Sequence, residues 1–160
     1  MKAIVYRRYG SPDVLSFEEV EKPVPRADEV LVKVHATSIN DWDWGLLRGR
    51  PFINRISGIF RPKYKILGSD IAGRVEAVGI AVNRFQLGDE VFGDLSRDNW
   101  GGFAEYACAR EIALAPKPAN MPFDDAAGVP LAGAPGLPGV RAEVGRKPGE
   151  RVGTTGARGG

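Results

Sequence analysis

Apolar and polar residues alternate most clearly from Glu29 to Ile39. Val30, Val32, Val34 and Ala36 fall on one face, and Leu31, Lys33 and His35 on the other. That is the period of a half-buried strand. Shorter β-favouring runs cover Ala3 to Tyr6 and, more loosely, Val14 to Val20. Further strand-like runs are Ile71 to Val78, Glu90 to Phe92 and Phe103 to Ala109, with one more expected over Ile112 to Ala115. Gly79, Gly88-Asp89 and Gly101-Gly102 punctuate them. After the long strand, Asn40-Asp41-Trp42-Asp43 supplies short polar side chains that cap a helix. Leu46 and Leu47 continue that helix for a turn or two, until Gly49-Arg50-Pro51 ends it. Residues 50–66 show no period and read as a long surface loop. A second helix is expected to open at Met121-Pro122, with Pro122 in its first position and Asp124 and Asp125 at the positive end of its dipole. Many short strands with few helices point to a small barrel or a sandwich.

Composition divides the chain. Residues 128–160 hold 14 of the 33 glycines and prolines and none of the 14 aromatics. Such a segment cannot build a core alone, so residues 1–127 read as the globular part and 128–160 as poorly ordered. Charge divides too: the first part carries net −1 and the second +3, so the overall +2 gives no argument for a nucleic-acid partner. The single Cys108 and single His35 rule out an intrachain disulfide and a zinc site of four Cys/His ligands from one chain. The longest uncharged run, Ala126 to Val140, has 15 residues and three prolines, too short and broken to span a membrane. The N-terminus has no apolar signal-peptide core, and a cytoplasmic location is expected. Residues 44–69 hold six basic groups (Arg48, Arg50, Arg55, Arg61, Lys63, Lys65) and no acidic one. This run either attracts an anionic phosphate or forms a solvated loop.

Five segments, in order, carry a resemblance. They are V-K-V-H-A-T-S-I-N-D-W-D-W (32–44), L-G-S-D-I-A-G-R-V-E-A-V-G (67–79), G-D-E-V-F-G-D-L (88–95), G-G-F-A-E-Y-A (101–107) and F-D-D-A-A-G-V-P-L-A-G (123–133). Together they resemble the N-terminal GroES-like domain of the medium-chain dehydrogenase/reductase superfamily, in its zinc-independent, quinone-oxidoreductase-like branch. The resemblance implies a mainly β fold, a partly open barrel with short helices, followed in the chain by a Rossmann domain. It implies hydride transfer from NADPH or NADH to an enone, quinone or aldehyde, with the cofactor in the cleft between the two domains. Zinc-using relatives place a cysteine in the segment that here reads Ser38–Asn40, and a histidine at the position of Ser69. Hydroxyl and amide groups are poor zinc ligands, so no metal is expected.

By resemblance, Asn40 and Asp43 are the catalytic candidates, with Asn40 also a cofactor contact. Trp42, Trp44 and Tyr64 are expected to wall the substrate cleft, and the loop 50–66 to cover the substrate. The nucleotide fingerprint would fall on Gly156, Ala157, Gly159 and Gly160. The strand before it, Arg151 to Thr155, has one large aliphatic residue, and the helix that should follow is not in the sequence. Gly45 and Ala134 stand where related sequences carry side chains that donate hydrogen bonds. Residues 128–160 are therefore read as a connector and an incomplete Rossmann start, with weak cofactor binding and little or no turnover expected. The competing reading is a non-catalytic fragment or binding module with an exposed barrel face. Oligomeric state stays open, because the domain that usually dimerises in this family is not in the sequence. His35 reads as a partly exposed barrel residue, Cys108 as an inert thiol, and Asp70 as a structural group paired with Arg74 or with the backbone.

Overall fold

The structure, a computed structural model, describes residues 1–52, 58 and 60–133. Strands β1 (Lys2–Tyr6) and β2 (Leu15–Glu19) pair antiparallel around a 3-10 turn at Pro12–Val14. The other five strands are β3 (Glu29–Thr37), β4 (Asp70–Val78), β5 (Glu90–Asp94), β6 (Tyr106–Arg110) and β7 (Leu114–Pro116). They form one antiparallel sheet in the order β6-β3-β4-β5-β7. Helix α1 spans Asp41–Arg48 and α2 spans Phe123–Ala127. The fold is mainly β, with two antiparallel sheets and, among the described residues, no closed barrel. No helix among the described residues is long and apolar enough to cross a membrane.

The alternation read in β3 holds only from Lys33 onward. Glu29 to Val32 are buried on both faces. Leu31 pairs with Cys108 and Lys33 with Tyr106, so these four share one face. The segment between β2 and β3 lies across it, with Lys22 Nζ 3.8 Å from the centre of the Tyr106 ring. Val30, Val32, Ile71, Val75, Val91 and Leu114 fill the opposite side and form the main core. Two register shifts between β3 and β4, at Leu31/Val32 and Val34/Ala36, mark bulges that bend the sheet.

Three of the differences from the sequence pattern shape the architecture. Residues 103–105 are not part of β6. They run between β1 and β3, where Ile4 N–H donates to the Phe103 carbonyl (2.8 Å) and Val34 N–H to the Glu105 carbonyl (2.9 Å). This short crossing joins the two sheets. Ile112 sits in a 3-10 turn, Glu111–Ala113, and β7 starts only at Leu114. Pro122 is the N-cap of α2 and not its first residue: its extended backbone directs its carbonyl to the Ala126 N–H at 3.0 Å. Ala126 and Ala127 then pack on Ala72 of β4, seating the end of the domain on the outer face of the sheet.

Candidate functional site

Two loops meet where the long strands begin and end. Ser38–Asn40 leads from β3 into α1, and Leu67–Ser69 leads into β4. Asp43, in the first turn of α1, fastens them. Its Oδ2 accepts the Asn40 N–H (2.9 Å), the reciprocal half of a capping box, and its Oδ1 accepts the Gly68 N–H (2.8 Å). Gly68 has φ +94°, and a Cβ there would lie 2.5 Å from the Phe103 nitrogen, so only glycine fits this approach. Asp43 is 2 % exposed. Burial pushes its carboxyl above the usual range, against the pull of the two backbone bonds.

Asn40 then reaches across the junction. Its Nδ2 donates to Ser69 Oγ at 3.0 Å and to Ser38 Oγ at 3.1 Å, with a longer contact to Asp70 Oδ2 at 3.3 Å. Ser38 Oγ also lies 3.3 Å from Asp70 Oδ2, and Leu131 N–H donates to that same oxygen at 3.0 Å. Asp70 thus joins three separate parts of the chain while being 1 % exposed. Its Oδ1 is buried without a partner among the described residues. Burial raises its pKa to about 6, and nearby Asp94 adds to that, against the opposing Leu131, Asn40 and Ser38 donors. Arg74 does not pair with Asp70. It lies directly across from Glu90 in the register and bonds it at 2.7 Å, whereas four residues along a strand separate Asp70 from Arg74 by about 13 Å.

Beside this polar junction stands an aromatic row. Trp42 is 59 % exposed and stacks on Trp100, with centroids 6.4 Å apart, and Tyr64 meets the same ring at 6.1 Å. Trp44 is not part of it. Two residues along a helix turn a side chain by about 200°, and Trp44 lies instead under the Arg48 guanidinium, 4.1 Å from its ring centre. Trp100 was not singled out by any period in the sequence. It holds φ +60°, rare for a bulky residue, and is kept there by packing with Tyr6, Leu47 and Leu67. Its only sequence signal is its place before Gly101-Gly102. A cavity of about 700 Å³ opens behind Tyr64 and Trp100 and extends to Val24, Glu29 and Cys108, a size suited to a small ligand. Asn40 and Asp70 do not line it. Burial pushes the Cys108 thiol up to about 11, so it is protonated near neutral pH.

The structure therefore brings Asn40, Asp43, Ser38, Ser69 and Asp70 into one junction, and Trp42 and Tyr64 into the adjoining row. His35 is exposed and stacks on Phe123 at 4.5 Å. Among the described residues, no group of three or more His, Cys, Asp or Glu side chains is placed to hold a metal. Gly156, Ala157, Gly159 and Gly160 lie outside the described residues, as do Ala134 and residues 53–57 and 59 of the expected covering loop.

The sequence pattern of the family described as "Alcohol dehydrogenase GroES-like domain" matches residues 26–119. The chain is 38 % identical over 136 residues to a chloroplastic quinone-oxidoreductase homolog of Spinacia oleracea, covering 82 % of this chain and 39 % of that one. It is also 38 % identical over 139 residues to a chloroplastic NADPH-dependent alkenal/one oxidoreductase of Arabidopsis thaliana, covering 82 % and 35 %. The solved quinone oxidoreductase from Coxiella burnetii superposes with a TM-score of 0.80 at 34 % identity, covering 90 % of this chain and 45 % of that chain. The chain spans less than half the length of each of these relatives.

Proposed function

Because the chain belongs to the alcohol dehydrogenase GroES-like domain family, we propose that residues 1–127 form the substrate-side domain of an NADPH-dependent oxidoreductase acting on an enone, aldehyde or quinone. Residues 128–160 would connect it to the nucleotide-binding part. The names of the relatives support this substrate class and this cofactor. The observation that carries the reading is the junction of Ser38, Asn40, Ser69 and Asp70 beside exposed Ile39 and Trp42. A nicotinamide ring and a conjugated carbonyl are flat and mostly apolar, with one polar end each. An apolar wall next to a few fixed polar groups fits both.

When bound, the nicotinamide supplies the hydride; the chain itself binds, orients and excludes water. Ser38 is the half-exposed member of the junction, and its hydroxyl can rotate from Asp70 toward a carbonyl oxygen of the substrate. Asn40 is a positioning residue for Ser38, because its amide protons already point at the two serines. Asp43 holds the two loops in place and does not reach the substrate. Trp42 and Tyr64 form the wall. The chemistry is read as running without zinc, since the junction offers two hydroxyls, an amide and the single carboxylate of Asp70, and one carboxylate falls short of the three or four nitrogen, sulfur or carboxylate ligands that a zinc site uses.

The test follows NADPH oxidation in the presence of an enone or a quinone, adding a separately produced nucleotide-binding domain of a relative if the chain alone shows none. Ser38→Ala is expected to lower kcat about tenfold or more with little change in KM, the mark of a donor used in the transition state. Trp42→Ala is expected to raise KM instead. Full activity in both variants would overturn the site.

A further inference from the structure

Of the six basic residues, Arg55 lies outside the described residues, and Arg48, Arg61, Lys63 and Lys65 take no part in the junction. Arg48 lies over Trp44 and Lys63 over Tyr64. Arg61 and Lys65 instead face a groove of about 640 Å³, where Arg7 and Arg8, just past the end of β1, join them. Arg7 is held by Glu18 through its two terminal guanidinium nitrogens. Arg8, Arg61 and Lys65 have no acidic partner among the described residues. No aspartate or glutamate lines the groove. The part of the chain that contains it carries slightly more acidic than basic groups, so the concentration of cations is local.

Like charges around one concavity repel each other, and a low-dielectric wall strengthens their field. Such an arrangement is relieved by an anion, and guanidinium forks match phosphate oxygens in pairs. Phe60, 91 % exposed, stands on the rim as a flat apolar face. Arg7 and Lys65 also border the cavity behind Tyr64 and Trp100, so the groove continues toward the aromatic row. We propose that the groove between the end of β1 and residues 60–65 binds the phosphate or diphosphate group of a small molecule. The rest of that molecule extends past Phe60 or toward Tyr64. This site is separate from the junction at Asn40, and it binds or fails to bind phosphate whether or not the chain serves hydride transfer.

The test is an NMR titration of the intact chain with inorganic pyrophosphate at low salt. The expected result is saturable shifts confined to residues 6–8, 14–16 and 60–65. The affinity should fall tenfold or more in the triple variant Arg8→Gln, Arg61→Gln, Lys65→Gln, and by smaller steps in each single variant. Arg97→Gln, which removes an exposed cation outside the groove, should leave it unchanged. Resonances elsewhere report whether each variant keeps the fold. Displacement of pyrophosphate by NADPH would assign the phosphate to a nucleotide cofactor; binding that NADPH does not displace would assign it to a phosphorylated substrate. The proposal is overturned by shifts that do not saturate, by an equal loss in Arg97→Gln, or by a single-stranded oligonucleotide that binds across the basic surface more tightly than pyrophosphate.

Discussion

Asp41, Asp43 and Asp70 are the same residue type with three different fates. Asp41 is exposed, Asp43 has each oxygen on a backbone N–H, and Asp70 is enclosed with one oxygen unpartnered among the described residues. The enclosed case has a thermodynamic consequence. Folding moves the Asp70 pKa from 3.8 to about 6, so the native state keeps a proton that the unfolded chain releases. Stability from this group is highest below about pH 4 and falls as pH rises toward about 6, where the native carboxyl also ionises. Asp70→Asn keeps an acceptor for Leu131 and cannot ionise. It is expected to flatten that fall, by about 3 kcal/mol at most. Denaturant unfolding measured across this pH window checks it, and an unchanged pH slope would show that Asp70 is not the buried acid responsible.

At the scale of elements, the site depends on where loops touch strands. Gly68 is the tightest of these contacts, since it brings its N–H to Asp43 while its α-carbon side presses on the Phe103 backbone. Gly68→Ala is expected to destabilise the protein by about 2 kcal/mol or more, through both the positive φ and the clash. It should also disturb α1, because Asp43 loses its anchor. Thermal unfolding with amide shifts of residues 40–44 would show both effects, and a near-neutral change would mean that the approach is looser than 2.5 Å. The elements themselves were largely legible. Short strands, the Asn40 cap and the Gly49 stop follow from local rules, and α1 ends with Gly49 at φ 60° as a left-handed cap requires. Residues 103–105 were not legible as a crossing. Their side chains suit a strand, and only the position of β1 decides that they bond to it.

For the whole molecule, stability is unevenly spread. The centre of the five-stranded sheet holds the main core, with Val30, Val32, Ile71 and Val91 fully buried. The two-stranded sheet is half exposed along β2 and is tied on through residues 103–105 and the Tyr6 N–H to the Lys65 carbonyl (3.0 Å). Hydrogen exchange is therefore expected to be slowest at the amides of Val32 and Val75 and faster by at least tenfold in β2. Equal protection in both sheets would mean that the molecule opens only as one unit.

The sequence by itself determined that the chain is mainly β, where most strands fall along it, and the cap and stop of α1, because each depends on periods and turns within a few residues; the site candidates come from the resemblance. Asn40 and Asp43 lie close together in the chain and are named together by the resemblance; Ser38, two residues before Asn40, enters only as part of a segment unable to bind zinc. Their partners lie far along the chain. Ser69 and Asp70 come 29 and 30 residues after Asn40, and Leu131, which bonds Asp70, comes 61 residues after Asp70. Trp100 replaced Trp44 beside Trp42 because helical twist turns neighbours two apart in opposite directions. The division of the basic run between rings and groove likewise appeared only after folding. Side-chain pairing across distant segments is decided by how sheets curl and loops close, which no local pattern encodes.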